Sequence, residues 1–166
     1  MIKFNTSDQL DFYEYPTSYI GRLITSQVFR DVSSWYHIVC VWDSANATAG
    51  NRMRLYVNGV EVTTFATDTN PPLNQNSTVN VAASHRIGNY QFASWNFNGY
   101  LADVWFLDSA TPATTTRTVN GVTETILSDF GEFDATTGVW NPKAYTGSVS
   151  GNRDRKSTRL NSSHRT

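Results

Sequence analysis

Apolar and polar positions alternate along most of this chain, and no window longer than a turn or two holds the 3.6-residue period of an amphipathic helix. Runs rich in β-branched and aromatic residues, separated by Gly, Pro, Asn and Ser, predict strands over 10–15, 20–29, 35–43, Met53–Val57, 60–66, 79–82, 85–87, 100–107 and 116–127. Between them, 68–77 cannot be a central strand. Pro71 and Pro72 bring no amide donor, and the residue before each is held extended.

The clearest local signal is Asn58-Gly59 between two alternating runs. Both residues tolerate the positive φ of a type I′ turn, whose twist matches that of the strands it joins. A two-residue loop pairs Val57 with Val60, Leu55 with Val62 and Met53 with Thr64, which gathers Met53, Leu55, Val57, Val60 and Val62 on a core face. Arg52, Arg54, Tyr56, Glu61 and Thr63 fall on the other face, which is expected to be at least partly solvated. Asn120-Gly121 marks a second hairpin inside 116–127. The run Trp35-Tyr36-His37-Ile38-Val39-Cys40-Val41-Trp42 is apolar or aromatic on both faces, as in a strand buried within a sandwich. Many short strands and no helix predict an all-β sandwich or barrel.

Composition agrees, with 13% aromatic and 16% charged residues. A chain of 166 residues buries roughly 70% of its unfolded surface, enough for one core without disulfides. A net charge of −1 gives no electrostatic reason to expect nucleic acid or an anionic membrane as partner. No run is long and apolar enough for a transmembrane helix, and Met1 to Asn5 leads straight into polar sequence, so no signal peptide is expected. Cys40, the single cysteine, rules out an intrachain disulfide and a cysteine-rich zinc cluster; its mid-strand setting reads as a small buried apolar residue. After Gly151-Asn152 the style changes. Residues 153–166 hold five basic residues against one acidic and one large apolar residue, Leu160, the composition of a disordered tail. The Ser157-to-His164 stretch resembles a read-through tail that recurs on unrelated gene models, so the folded domain is expected to end at residue 152.

Several blocks carry a family resemblance: 35–39, 51–62, 85–88, 99–104, and 130–134 through 138–147. In their order and spacing they resemble the laminin G-like, concanavalin A-like lectin/glucanase jelly rolls of phage structural proteins and marine metagenomic sequences. The resemblance implies an antiparallel two-sheet jelly-roll sandwich over 1–152, lacking terminal strands that the family usually carries. It also implies a place in a phage virion or tail protein, hence a virion or extracellular setting. The partners implied are a cell-surface glycan or glycoprotein and other virion proteins, with neither nucleic acid nor membrane. The leading expectation is non-catalytic glycan recognition, and the alternative is an assembly module of a virion protein that binds no sugar.

Because the fold includes glycosidases, the carboxylates must be tested. Retaining enzymes need two carboxyls about 5 Å apart. The nearest approach, Glu132-Phe133-Asp134, lacks the third acid of the family's catalytic strand and lies in turn-rich sequence between Gly131 and Gly138, so no catalytic residue is expected. His37 reads as an interior ring with one nitrogen hydrogen-bonded, and with His85 it makes no catalytic triad. No metal or cofactor is expected, although laminin G relatives often hold calcium, toward which Asp43, Asp68 or Asp103 could contribute. Asp103 reads as a structural carboxylate within the strand 100–107. Sugar binding needs an aromatic face for the apolar side of a pyranose and amides for its hydroxyls. The segment 89–98 supplies both, which nominates Tyr90, Trp95 and Asn96, with Asn74 from the neighbouring Asn-rich loop. The same aromatics could instead cover the end of the sandwich, while Trp42, Trp105 and Trp140 read as core or rim packing.

Overall fold

The computed structural model describes residues 1–89, 96–108, 111–147, 155–157 and 160–161. The chain divides into two compact units, Met1–Thr78 with Thr111–Gly147, and Val79–Ala110 with Ser148–Thr166.

The first unit holds two antiparallel sheets. One contains β1 (Ile2–Phe4), β2 (Gln9–Glu14), β3 (Gly21–Val28) and β7 (Phe65–Thr69), in the order β1-β2-β3-β7. The other contains β4 (Ile38–Trp42), β5 (Met53–Val57), β6 (Val60–Glu61), β10 (Thr114–Val119) and β11 (Val122–Leu127), in the order β10-β11-β6-β5-β4. A small hairpin pairs β12 (Gly131–Phe133) with β13 (Trp140–Pro142). Among the described residues there is no α-helix, only 3-10 turns at Ala49–Asn51 and Thr78–Asn80.

Both Asn-Gly hairpins form in the expected register. Val57 pairs with Val60 and Tyr56 with Glu61, while Val119 pairs with Val122 across Asn120-Gly121. All four turn residues have positive φ, as a type I′ turn requires. Leu10, Leu23 and Phe29 from the four-stranded side meet Met53, Leu55 and Val57 from the five-stranded side, and Phe12, Ile38, Trp42 and Phe65 pack against that cluster. Each fully buried side chain of this kind contributes roughly 1.5–3 kcal/mol. The unit is therefore a sheet-on-sheet sandwich.

Several sequence expectations are corrected. The run 60–66 is not one strand: β6 ends at Glu61 in one sheet and β7 begins at Phe65 in the other, so Val62 to Thr64 carry the chain between sheets. Alternation continues unbroken through the crossing, which hides it. Tyr56, expected on a partly solvated face, is 0% exposed. Register explains this, because β4 brings Val39 opposite Tyr56 and Val41 opposite Arg54, making that face apolar at its middle. Trp35 lies outside β4. Asp31 accepts from the Ser33 backbone N–H (2.9 Å) and hydroxyl (2.6 Å) and from the Ser34 hydroxyl, which fixes a turn before the strand starts and leaves Trp35 65% exposed. Residues 79–82 and 85–87 are not strands. Conversely, Glu132 lies on β12, a strand where turn-rich sequence predicted none.

In the second unit, 100–107 is two strands, β8 (Tyr100–Leu101) and β9 (Val104–Phe106), separated at Asp103, whose φ of 48° no extended residue adopts. In the segment expected to be a disordered tail, β14 (Arg155–Ser157) pairs with β9 and β15 (Leu160–Asn161) with β8. A ladder is made of backbone groups, so an open strand edge accepts extended chain whatever its side chains.

Candidate functional site

The outer face of the four-stranded sheet assembles a cationic and aromatic surface. Leu10 and Phe12 of β2 point into the core, so Asp11 and Tyr13 point out. Register places Lys3 of β1 across from Asp11, and Arg22 of β3 across from Tyr13. Arg22 donates twice to Asp11, from Nε to Oδ1 at 3.0 Å and from Nη2 to Oδ2 at 2.8 Å, while Lys3 Nζ lies 4.0 Å from Oδ2. Asp11 is fully buried beneath these cations. The bidentate bond with Asp11 holds the Arg22 guanidinium above its ordinary pKa.

The β2–β3 connection completes the surface. Pro16 keeps the preceding Tyr15 extended, and the loop returns through Tyr19 to Ile20, whose N–H reaches the Glu14 carbonyl at 3.1 Å. Tyr15 and Tyr19 stand on either side of the loop tip with ring centroids 4.7 Å apart and edge-to-face, 54% and 46% exposed. Tyr19 also packs edge-on to Tyr13 at 5.5 Å, and the Arg22 guanidinium lies 4.4 Å from the Tyr19 ring. The result is a pair of exposed aromatic rings beside the Arg22 guanidinium.

Sequence reasoning did not nominate these residues, although the strand 10–15 was legible. Alternation within it already sets Asp11, Tyr13 and Tyr15 on the face opposite Leu10 and Phe12. What alternation does not show is that Arg22 and Lys3 come from neighbouring strands to the same place.

Of the residues nominated from sequence, Tyr90 and Trp95 lie outside the described residues. Asn96 is exposed in the second unit, where it forms an isolated bridge with Asn89 and its side-chain carbonyl accepts from the Asn89 amide at 2.5 Å. Asn74 is exposed in the first unit, with φ of 59° and its backbone N–H donated to the Ser44 carbonyl at 2.8 Å. Asn74 and Asn96 therefore belong to different units.

The carboxylates have other partners. Glu132 is largely exposed, 4.0 Å from Lys143 Nζ. Asp134 Oδ1 accepts from the backbone N–H groups of Thr136 (3.0 Å) and Thr137 (2.6 Å) and from the Thr137 hydroxyl (2.8 Å), which hold it below the usual carboxylate range. It serves the turn. Glu61 is pushed up by burial, with Arg54 and a Thr125 hydrogen bond opposing the shift. The Arg54 Nη1 donates to the Tyr56 hydroxyl at 3.2 Å, and Arg54 Nε has no partner among the described residues. Beside Glu61, a cavity of about 300 Å³ is lined by Gln27, Val57, Asn58, Val60 and Thr64, with no aromatic ring for stacking.

Asp43 accepts from the Asn46 side chain (3.3 Å), Asp68 accepts from the Asn70 side chain (2.8 Å), and Asp103 is exposed at a turn, not within a strand as expected. Among the described residues, no three His, Cys, Asp or Glu side chains are grouped to hold a metal ion. Cys40 packs against the core, and burial pushes its thiol up to about 12, which disfavours the thiolate form. His37 is half-buried, and its Nδ1 accepts from the Trp140 indole, as an interior histidine with a bonded nitrogen should.

A family model of the concanavalin A-like lectin/glucanases superfamily, of laminin G type, matches residues 1–117. This chain belongs to that superfamily, and its antiparallel two-sheet sandwich is the architecture such membership requires. The 130–147 block that contributed to the resemblance lies beyond the matched residues. No curated protein and no solved structure matches the chain.

Proposed function

We propose that this domain recognises a surface glycan without cleaving it, as part of a virion or tail protein. The observation that carries the glycan reading is the exposed Tyr15–Tyr19 pair beside Arg22. A pyranose lays its C–H face on an aromatic ring and its hydroxyls against planar donors and acceptors, and this surface offers both within one hairpin. Superfamily membership supports the ligand class. Against catalysis stand the exposure of Glu132 and the turn-capping hydrogen bonds of Asp134, which hold that carboxylate below its usual range. The virion setting rests on the sequence resemblance alone.

Tyr90, Trp95, Asn96 and Asn74 stand as alternative sugar contacts, proposed from sequence alone. The test is a glycan array probed with the full chain, with and without added calcium. Saturable binding to a defined set of oligosaccharides supports the reading. A blank array from a sample with a cooperative unfolding transition contradicts it and favours the assembly-module alternative.

A further inference from the structure

We propose that Asn120-Gly121 is a site of spontaneous covalent modification, where the asparagine closes to a succinimide and reopens as aspartate or isoaspartate, while the fold shields the identical sequence at Asn58-Gly59.

The chain reads Val-Asn-Gly-Val twice, at 57–60 and at 119–122, and each copy closes a hairpin. In the reaction the Gly121 backbone nitrogen gives its proton to hydroxide and attacks Cγ of Asn120. The Cγ–Nδ2 bond breaks, and the amide nitrogen leaves as ammonia. Water then adds to either carbonyl of the cyclic imide. Opening at one returns an ordinary main chain with an aspartate side chain; opening at the other gives isoaspartate, whose main chain runs through the former side chain. Glycine favours the attack because it has no side chain to crowd its own nitrogen. Since the flanking residues are the same, what separates the two copies is their place in the fold.

Asn58 is tied down. Its Oδ1 accepts from the His37 backbone N–H at 2.9 Å, and its own N–H donates to the His37 carbonyl at 2.8 Å. Swinging Cγ over the Gly59 nitrogen breaks the first of these bonds. Gly59 is itself buried, so close to Trp140 that an added Cβ would lie 2.3 Å from the ring, and its carbonyl accepts from the Leu127 N–H at 2.8 Å. The nitrogen that must lose a proton belongs to a residue shut off from solvent.

Asn120 has none of these restraints. Both turn residues are exposed, the Asn120 side chain makes no hydrogen bond among the described residues, and a Cβ on Gly121 would meet nothing within 4 Å. Val119 and Val122 beside them are 41% and 61% exposed. β10 is the edge of its sheet, and β11 meets β6 at Ile126 and Val60, well back from the tip. A hairpin end of this kind opens locally at little cost, and opening supplies the torsional freedom that the attack needs. Conversion adds a negative charge to a chain of net charge −1, and isoaspartate puts an extra methylene into the turn.

The experiment incubates the full chain in mildly alkaline buffer, folded and in parallel in urea, and samples both over several weeks. Peptides containing Asn58 and Asn120 are separated and weighed, and aspartate is distinguished from isoaspartate by fragmentation. In the folded chain Asn120 should convert at least about tenfold faster than Asn58, the ratio reflecting the difference in local opening. In urea the two rates should fall within about twofold of each other, because the fold that separates them is gone. Equal rates in the folded chain, or faster loss of Asn58, would overturn the inference. So would an Asn120 that stays intact in the folded chain while it converts in urea.

Discussion

Trp140 donates its indole N–H to Nδ1 of His37 at 3.2 Å and stacks on the same ring, with centroids 5.9 Å apart and planes 28° from parallel. These residues lie 103 positions apart, and their contact ties β13 to the β5–β6 turn. The His37 N–H donates to the Asn58 side-chain carbonyl at 2.9 Å, and the Asn58 N–H returns to the His37 carbonyl at 2.8 Å. Around the ring stand Phe130 and Trp140, and Phe133 packs edge-on to Trp140.

Because Nδ1 is an acceptor here, the imidazole must be neutral. Burial lowers the His37 pKa below its ordinary 6.5. The folded state then binds fewer protons than the unfolded state between the lowered value and 6.5, so stability rises with pH across that window and falls as the pH drops through it. Thermal unfolding between pH 8 and pH 5 should show this loss in the wild type. In His37→Gln, whose side-chain carbonyl can still accept from Trp140, the decline over the same window should be shallower. An identical decline would assign the pH dependence to other groups.

Gly59 and Gly121 share a φ of +80°, yet they differ in surroundings. A Cβ on Gly59 would lie 2.3 Å from the Trp140 ring, whereas one on Gly121 would meet nothing within 4 Å. Gly121→Ala should cost about 1–2 kcal/mol for the left-handed backbone alone. Gly59→Ala should cost about 1–3 kcal/mol more through overpacking. Denaturant midpoints of the two variants check this, and equal losses would show that Trp140 does not seat on the turn.

Two ion pairs separate burial from mere proximity. Asp11→Asn removes the fully buried partner of Arg22 and should destabilise by about 2 kcal/mol, since the carboxylate takes two charge-assisted bonds. Asp8→Asn breaks the 3.1 Å pair with Arg30, both side chains being well exposed, and should change stability by less than about 1 kcal/mol. Urea unfolding of both variants reads the contrast directly.

What the sequence discloses follows from how local each determinant is. Asn58-Gly59 and Asn120-Gly121 fix their hairpins within a few residues, and the register of Val57 with Val60 emerges as read. The sheet crossing at Val62 to Thr64 keeps the same alternation on both sides, so nothing local marks it. Burial of Tyr56 depends on Val39 and Val41 arriving from β4, and three-residue strands such as β1 and β12 are too short to show a period. The tyrosine face is intermediate in this respect. One strand's alternation exposes Asp11, Tyr13 and Tyr15 together, but the pairing that brings Arg22 and Lys3 beside them is tertiary.

The central claim is that the β2–β3 hairpin holds the sugar. Its most direct test is the affinity of the best-bound array oligosaccharide for the wild type, Tyr15→Ala and Trp95→Ala, each verified as folded. Aromatic stacking at this scale predicts that Tyr15→Ala loses about tenfold or more, while Trp95→Ala stays within about twofold. Full affinity in Tyr15→Ala, with loss in Trp95→Ala, would contradict the account and move the site to the segment 89–98.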